Sequence, residues 1–379
     1  MKRYSSLGIF FFSLFLATTV FATGGSLTPP SNLPMGSKGQ TTTDSTGQNG
    51  IQTPNGQNLK TGRVIAVGDL NFQSGLGAKI LADPEYPWAN VRKIFETGSI
   101  RVGNLEVPLS NRGSKYTEKT WILRADPRTV QALVKAKFQV VTLANNHIMD
   151  FGPVALGDTI ATLDTAGIAH AGAGMNLEEA RRPALVTAPD GTRFAFLSYS
   201  LVFPDLFWAK KNRPGTPYGL PELFIADIKQ AKTFADHVVV SFHWSEELRF
   251  YPKPYQKAYA HQCIDAGADI VLGHHPHVLQ GLEVYKGGLI AYSLGNFAFG
   301  TFSRRCTDSI ILAVDYDAAG LNQAVLYPVN VNNHEVNFQT RLRHGDDAER
   351  ALQDLRSYSA EFKTTIRSEG DTGVIQIRE

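Results

Sequence analysis

The chain has 379 residues, of which 43% are hydrophobic and 19% charged, a composition that indicates a globular protein with a sizeable core and excludes a wholly disordered one. Its 37 Lys and Arg residues nearly balance 35 Asp and Glu residues, for a formal net charge of +2. This balance does not favour a nucleic-acid partner, which would require a basic face or tail, so we expect none.

Residues 1–22 have the pattern of an export signal. Lys2 and Arg3 precede an apolar run at 7–21, which ends at residues suited to a signal peptidase. The run is shorter than the roughly 20 apolar residues that comfortably span a bilayer, so a cleaved signal is favoured over a retained anchor. In either case we expect an exported protein, located in the periplasm, in the medium or on the outer face of the cytoplasmic membrane. A retained anchor would add a membrane tether at the N-terminus.

Composition divides the rest of the chain into three parts. Residues 23–60 are mostly Gly, Ser, Thr, Asn, Gln and Pro, which predicts a disordered linker because little apolar surface is available to bury. Residues 61–335 are expected to form the globular domain, and residues 336–379 a helical extension.

Short apolar runs alternate with helical patterns through the globular part. The predicted strands lie at 64–67, 100–105, 139–143, 194–198, 238–242 and 269–272, and the predicted helices at 88–96, 126–137, 153–166, 222–235 and 254–266. This alternation predicts an α/β fold. Two hairpins are predicted next, at 278–294 and 309–329, and then a polar helix at 348–363 that we expect to be terminal and loosely packed. Together the elements predict two packed mixed β-sheets flanked by helices.

Cys263 and Cys306, the chain's two cysteines, lie far apart in the sequence. An exported protein can form a disulfide, so a bridge and two free thiols both remain open. Because the sequence has no multi-cysteine zinc pattern, any metal would be held by His, Asp, Glu and Asn.

Polar residues recur where the predicted strands end. They are Asp69, Asn104, Glu106, Asn145, Asn146, His147, His243, His274, His275 and His277. Ligands of open α/β sheets collect outside the carboxyl ends of the strands, so we expect these side chains to converge. Single members have ordinary alternatives, such as a turn for Asp69 or a core imidazole for His243. Three histidines in four positions serve no packing purpose, whereas divalent metals bind imidazole well.

This set of residue types favours two-metal hydrolysis. Two cations roughly 3.5–4 Å apart can activate a water and stabilise the leaving oxygen of a phosphoester. Such a site uses a bridging carboxylate, several imidazoles and an amide oxygen, with a further histidine as proton donor.

Six segments of the chain form an ordered series of motifs. They are Val-Gly-Asp-Leu at 67–70, Gly-Asn-Leu-Glu at 103–106, Ala-Asn-Asn-His-x-x-Asp-x-Gly at 144–152, Phe-His-Trp-Ser-Glu-Glu at 242–247, Gly-His-His-Pro-His-Val at 273–278 and Tyr-Ser-Leu-Gly-Asn-Phe at 292–297. In this order they resemble the motifs of the CapA family of bacterial capsule-synthesis proteins. The resemblance implies a calcineurin-like metallophosphoesterase fold and a role in the synthesis or export of a poly-γ-glutamate capsule.

The resemblance also implies a role for each matching residue. The implied metal ligands are Asp69, Asn146, His243, His275 and His277. His147 matches the histidine that protonates the leaving group. His274, an extra imidazole, is expected on the substrate side together with Asn104 and Asn296.

Two positions depart from the phosphoesterase motifs. Asn71 stands where a histidine is expected, and Asn104 where a bridging aspartate is expected. Glu106 lies two residues beyond Asn104, hence on the same face of an extended segment, and is expected to supply the missing carboxylate as a metal ligand. The departures leave open whether one metal is bound or two.

Two functions remain open from the sequence. The first is a metal-dependent hydrolase or transferase that acts on a phosphoester or polymer linkage with divalent ions, among which Mn, Fe, Zn and Mg are not distinguished. The second is a non-catalytic accessory or polymer-binding protein with a structural or vestigial metal site. His147 favours the first because a structural site needs no proton donor, whereas Asn71 and Asn104 favour the second. In both, the expected partners are a capsule or cell-envelope polymer and its synthesis machinery.

Overall fold

A computed structural model describes residues 60–378 of the chain. The predicted export signal at 1–22 and all but the last residue of the predicted linker at 23–60 lie outside the described residues. Within the described range, no helix combines the length and the apolar character needed to cross a membrane.

The described part of the chain contains sixteen strands and nine α-helices. The strands are β1 Thr61–Asn71, β2 Ile100–Leu105, β3 Val140–Thr142, β4 Ala169–Ala171, β5 Ala184–Thr187, β6 Arg193–Ser200, β7 His237–His243, β8 Ile270–His274, β9 Leu282–Tyr285, β10 Gly288–Ala291, β11 Asn296–Phe299, β12 Asp308–Asp317, β13 Gly320–Asn330, β14 Arg341–Leu342, β15 Arg367–Glu369 and β16 Thr372–Gln376. The helices are α1 Ser74–Ala82, α2 Arg92–Glu96, α3 Val130–Lys135, α4 Gly152–Thr165, α5 Leu177–Ala180, α6 Pro221–Ala231, α7 Pro254–Ala266, α8 Asn333–Val336 and α9 Asp346–Ser359.

The strands form two mixed sheets. The first has the order β15-β16-β13-β12-β1-β2-β3-β4, with β11 also paired to β1 and β14 to β13. In it, β1 to β4 run parallel, whereas β12 lies antiparallel to β1. The second sheet has the order β5-β6-β7-β8-β10-β9, with β6, β7, β8 and β10 parallel and the two edge strands antiparallel.

The two sheets pack face to face, and helices cover their outer faces. Successive side chains of a strand point to opposite faces, so β1 sends Val64 and Ala66 into the core between the sheets and Ile65 and Val67 towards α1–α4. Both faces are therefore buried, which explains why this strand reads as an unbroken apolar run. Helices α6 and α7 bury the outer face of the second sheet. The predicted fold class of two packed mixed sheets flanked by helices is confirmed.

Helix α7 illustrates how local sequence sets an element's ends. It begins at Pro254, whose missing N–H costs nothing in the first turn. It stops before Gly267, which adopts a left-handed φ of 111° that a residue without a Cβ tolerates. Its bounds therefore agree with the predicted helix at 254–266.

The C-terminal part differs from the predicted helical extension at 336–379. Helix α9 is present there, but β16 follows it and pairs antiparallel with β13 in the first sheet. Helix α9 is also not loosely packed, because Leu352 and Leu355 are fully buried in the core between the sheets. The sequence of α9 is rich in charged residues, so its narrow apolar stripe was not recognised from the sequence. Such a stripe is enough to anchor an amphipathic helix.

The two cysteines are free thiols, and both are buried. Cys263 lies in α7 within the core that α6 and α7 form over the second sheet, and Cys306 lies in the loop before β12. Of the two alternatives left open by the sequence, the structure has the unpaired one.

Candidate metal centre

The carboxyl ends of strands from both sheets meet at one edge of the molecule. In the first sheet, Asp69 of β1 lies in register with Asn104 of β2. In the second, His243 of β7 lies in register with His274 of β8. A contact of 3.0 Å between His274 Nδ1 and Asp69 Oδ1 joins the two sheets here. The predicted site residues are therefore brought together rather than scattered.

Glycines let the backbones approach closely enough for this. A Cβ on Gly68, just before Asp69, would lie 1.9 Å from the carbonyl oxygen of Gly295. A Cβ on Gly273, just before His274, would lie 1.9 Å from the carbonyl oxygen of Tyr292. These two Gly-polar pairs, Gly68-Asp69 and Gly273-His274, thus combine a close backbone approach with a candidate site residue.

Two overlapping groups of donor atoms form the cluster. One donor atom each from Glu106, His243 and His275 lie within 4.8 Å of one another, and so do donor atoms from Asp69, Glu106 and His277. Glu106 belongs to both groups, in the position that a bridging carboxylate would take. It lies one residue beyond β2, where its backbone N–H donates to the carbonyl oxygen of Leu70, so the extended geometry assumed for it is present.

The Glu106 carboxylate is buried without a hydrogen-bonding partner. The side chain has no solvent exposure, and neither of its oxygens has a donor within the described residues. Burial, and secondly the charge of Asp69, raises the pKa of Glu106 well above its ordinary value. For Asp69, burial acts in the same direction, but hydrogen bonds from His274 and His277 outweigh it and hold its pKa well below the ordinary value.

The three imidazoles of the donor groups differ in electrostatic environment. Burial, and secondly the charge of His277, lowers the pKa of His275 to about 3. Burial also lowers the pKa of His243 well below its usual value. Burial alone would lower the pKa of His277 too, but the charges of Glu106 and Asp69 raise it to about 10. His243 and His275 are thus neutral at neutral pH, the form in which imidazole binds metals.

The backbone at His275 and His277 is strained. Their φ angles are 92° and 59°, values that residues with a side chain rarely adopt. Strain of this kind clusters at functional sites because the surrounding structure must maintain it. In this turn it directs two imidazoles towards Glu106 and Asp69.

The amide side chains of the cluster hold the predicted ligands in place. Asn146 Oδ1 lies 2.9 Å from His243 Nε2. Asn104 Nδ2 donates to Asp69 Oδ1 at 2.9 Å, and Asn296 Oδ1 lies 2.9 Å from His277 Nδ1. Asn104, His274 and Asn296 are at most 2% exposed and contact the predicted metal ligands. Their contact with a substrate stays a prediction.

His147 is oriented by two residues that the sequence analysis did not assign. Asp150 is fully buried, and its Oδ2 lies 2.6 Å from His147 Nδ1 and accepts from the backbone N–H of Leu123 at 2.7 Å. Lys119 donates to Asp150 Oδ1 at 2.6 Å and also to the carbonyl oxygen of Asn146. The ring thereby presents Nε2 towards the cluster, 4.0 Å from Glu106 Oε1.

These environments shift the pKa values of His147 and Lys119. Burial lowers the pKa of His147, although Asp150 opposes the shift. Burial likewise lowers the pKa of Lys119 against the opposing effect of Asp150. Asp150 is the aspartate of the Asn-Asn-His-x-x-Asp motif, so a signal for it was present. Lys119 lies in the long loop between β2 and α3, and no motif in the sequence indicated a role for it.

A family model described as "Bacterial capsule synthesis protein PGA_cap" matches residues 63–301, more than half of the chain. The chain belongs to this family. All of the predicted site residues lie within the part that matches PGA_cap, whereas α9 and β16 lie beyond it. The motif resemblance drawn from the sequence is therefore confirmed.

Curated relatives carry related names. One is the "PGA biosynthesis protein CapA" of Bacillus subtilis, 36% identical over 243 residues, which are 64% of this chain and 64% of the relative. Another is the "Capsule biosynthesis protein CapA" of Bacillus anthracis, 36% identical over 258 residues, which are 66% of this chain and 62% of the relative. The chain thus spans less than two thirds of the length of these PGA_cap relatives.

Solved structures resemble the fold only weakly. The NAD nucleotidase of Haemophilus influenzae has a TM-score of 0.42 and 12% identity, covering 79% of this chain and 63% of that one. The calcineurin-like phosphoesterase YfkN of Bacillus subtilis has a TM-score of 0.36 and 12% identity, covering 75% and 88%. At these scores the likeness carries no argument, and the fold of this PGA_cap member rests on its own strand order and register.

Proposed function

We propose that this chain is an exported protein of capsule or poly-γ-glutamate synthesis with a divalent-metal site that hydrolyses or transfers a phosphoester or a polymer linkage. Membership of the PGA_cap family and the names of the Bacillus relatives support the process. The pattern of residues 1–22 supports export. The expected partners are the capsule or cell-envelope polymer and the machinery that synthesises it.

The observation that carries the proposal is the unpartnered carboxylate of Glu106. A buried group that lacks its hydrogen bonds costs roughly 1–3 kcal/mol, and more when it is charged. Native structures seldom keep such a group without a reason. A divalent cation would supply the missing partner, and donor atoms of His243, His275, Asp69 and His277 are near enough to Glu106 to share it. The residues present therefore fit a metal.

The donor set indicates which residues would hold the metal. Glu106, His243 and His275 would hold one ion, and Asp69, Glu106 and His277 a second. Asn146 would add an amide oxygen, since its Oδ1 already lies beside His243. Mixed imidazole and oxygen donors suit Mn, Fe and Zn, and the oxygen donors also suit Mg.

Each element of the site would then have a chemical task. Bound ions would polarise the phosphoryl oxygen and lower the pKa of a water. His147 would move a proton at Nε2, because Asp150 keeps the other ring nitrogen occupied. Lys119 would fix Asp150 and so the orientation of the ring. Burial of the cluster excludes bulk water, which strengthens every one of these interactions.

A second candidate is an accessory protein that binds metal or polymer without turnover. Asn104 favours it, because an amide that donates to Asp69 stands where a bridging carboxylate is expected. Asn71 favours it as well, because its fully buried amide replaces an expected imidazole.

Metal analysis combined with a turnover assay separates the candidates. We expect stoichiometric metal in the purified chain and hydrolysis of an aryl phosphodiester with added Mn²⁺. His275→Ala and His277→Ala should each lose the ion of its own donor group, whereas His147→Ala should keep metal and lose turnover. His170→Ala, at a partly exposed histidine outside the cluster, is the matched control. Stoichiometric metal with no turnover would favour the accessory role, and metal retained in every variant would refute the site.

A further inference from the structure

A cavity of about 250 Å³ lies at the amino-terminal end of β2, the opposite end of the strand from Asn104. Its lining includes Trp88, Arg92, Phe95, Arg101, Lys135 and Lys137. None of these residues belongs to the metal centre. The volume is below the roughly 300–1,000 Å³ of pockets for drug-sized ligands, so the cavity suits a smaller molecule.

Arg101 is the unusual member of this lining. The residue is only 6% exposed, and within residues 60–378 its guanidinium makes one hydrogen bond, from Nη1 to the carbonyl oxygen of Lys137 at 3.2 Å. Its buried Nε has no acceptor. Arg101 lies on the same face of β2 as Leu105, the face that packs with Trp88 and Phe95. A charged group with unused donors therefore lines the same cavity as two aromatic side chains.

Burial also weakens the hydration of this guanidinium. It lowers the pKa of Arg101, although the charge of Glu96 opposes the shift. A desolvated cation of this kind is stabilised by an anion that can accept from Nε and an Nη together, in the bidentate geometry that guanidinium favours.

The other charges around the cavity leave it cationic. Arg92 is neutralised by Glu85, at 2.8 Å, and by Glu96, at 3.4 Å. In the described chain, Lys135 and Lys137 have no carboxylate within 4.0 Å, and Arg101 has none either. Asp83 is the remaining carboxylate of the lining, and it accepts from the backbone N–H of Glu85. The lining as a whole has four cations and three carboxylates, a net charge of +1, and Arg101 is its buried cation, which favours an anionic occupant.

We propose that this cavity is a second binding site, for a small organic anion. Its carboxylate or phosphate group pairs with the guanidinium of Arg101, and its apolar part contacts Trp88 and Phe95. The site is independent of the metal centre, because the two share no residue and the cavity needs no metal.

Indole N–H resonances provide a reporter for each site. The Trp88 indole donates to the carbonyl oxygen of Ala132 at 2.7 Å and lines the cavity. The Trp244 indole donates to the carbonyl oxygen of Tyr292 at 2.9 Å, next to His243 of the metal centre. NMR titration of the full-length, metal-free chain with benzoate, phenyl phosphate and neutral benzamide therefore shows where each probe binds.

We expect benzoate or phenyl phosphate to shift the Trp88 resonance saturably, and benzamide to leave it in place. The relative affinities of benzoate and phenyl phosphate show whether the site prefers a carboxylate or a phosphate. Arg101→Gln should weaken binding by about tenfold or more, because a charge-assisted pair is lost. Arg128→Gln is the matched control and should change affinity by less than about twofold, since Arg128 lies outside the cavity lining and is paired with Asp126.

Three results would overturn the proposal. They are a benzamide affinity equal to that of benzoate, unchanged affinity in Arg101→Gln, and shifts of Trp244 without shifts of Trp88. If Arg101→Gln fails to fold, the unsubstituted chain still tests the proposal. The test then compares the affinities of benzoate and benzamide, read from the Trp88 and Trp244 resonances.

Discussion

Replacing Glu106 by Gln removes a negative charge that both donor groups share, while keeping the size of the side chain. If Glu106 is a metal ligand, the variant should lose all bound metal, whereas His275→Ala should lose only the ion of its own group. The metal-free variant should also be more stable than the metal-free parent, because the buried carboxylate has no hydrogen-bonding partner in the described residues.

The size of the gain follows from the cost of such a group. An unsatisfied buried group costs roughly 1–3 kcal/mol and more when it is charged; because the Gln amide would be unsatisfied too, the gain is the extra cost of the charge, taken as about the same 1–3 kcal/mol. Unfolding entropy of about 2.1 cal/mol/K per residue gives roughly 0.7 kcal/mol/K for a domain of about 320 residues. The Tm of metal-free Glu106→Gln should therefore exceed that of the parent by roughly 1.5–4.5 °C.

The gain should depend on pH with a definite sign. The folded-state pKa of Glu106 is raised, so its protonated form fits the fold, and the parent loses stability as pH rises above the unfolded value of about 4.3. The difference in Tm between metal-free Glu106→Gln and the metal-free parent should thus be large near pH 8 and vanish near pH 4. Thermal unfolding in a chelator, across this range, measures it.

Mn²⁺ provides the second half of the assay. A ligand at 100 times its Kd stabilises the folded state by about 2.7 kcal/mol, so Mn²⁺ should raise the Tm of the parent by roughly 4 °C and leave Glu106→Gln unchanged. Glu283→Gln is the matched control, since both oxygens of this buried carboxylate have partners, His261 at 2.9 Å and Tyr292 at 2.6 Å. It should lose stability and keep the response to Mn²⁺. A Glu106→Gln protein that behaves like this control would refute the reasoning.

Three further substitutions test other parts of the structure. Asp150→Asn should keep metal and lower phosphodiester turnover by about 10- to 100-fold, measured with the Mn²⁺-loaded protein, because His147 loses the acceptor that orients it. Gly273→Ala should lower the Tm and the metal content together, because its Cβ would lie 1.9 Å from a backbone oxygen. Leu355→Ala should lower the free energy of unfolding by about 2–5 kcal/mol in urea, because this side chain of α9 is fully buried.

Each of these substitutions has a control of the same type. Asp164→Asn breaks a His–Asp pair outside the cluster, at His170, and should leave turnover unchanged. Gly157→Ala places a Cβ in open space on α4 and should be neutral or stabilising. Ser357→Ala, on the exposed side of α9, should change stability by less than about 0.5 kcal/mol. If a control variant showed the same effect as the variant it is paired with, the contact used to explain that effect would be refuted.

The sequence by itself determined the α/β alternation and the motif residues. The unbroken apolar run of β1 and the Pro–Gly bounds of α7 are local signals, read from neighbours along the chain. The convergence of the candidate site residues could be predicted for a related reason, because carboxyl ends of parallel strands share an edge whatever the details of packing. The place of Glu106 could be predicted in the same way, because residues two positions apart in an extended segment, such as Asn104 and Glu106, lie on the same face.

Tertiary structure alone decided the features that depend on distant partners. Strand β11, four residues long, is a strand because it pairs with β1, and β16 exists as a strand through β13. Lys119 reaches Asp150 from a long loop, and the cavity beside Arg101 forms because Lys135 and Lys137, at the distant end of α3, line it together with the segment 83–96. No residue pattern encodes such contacts, because their free energy comes from burial and charge pairing between segments that the folded chain brings together.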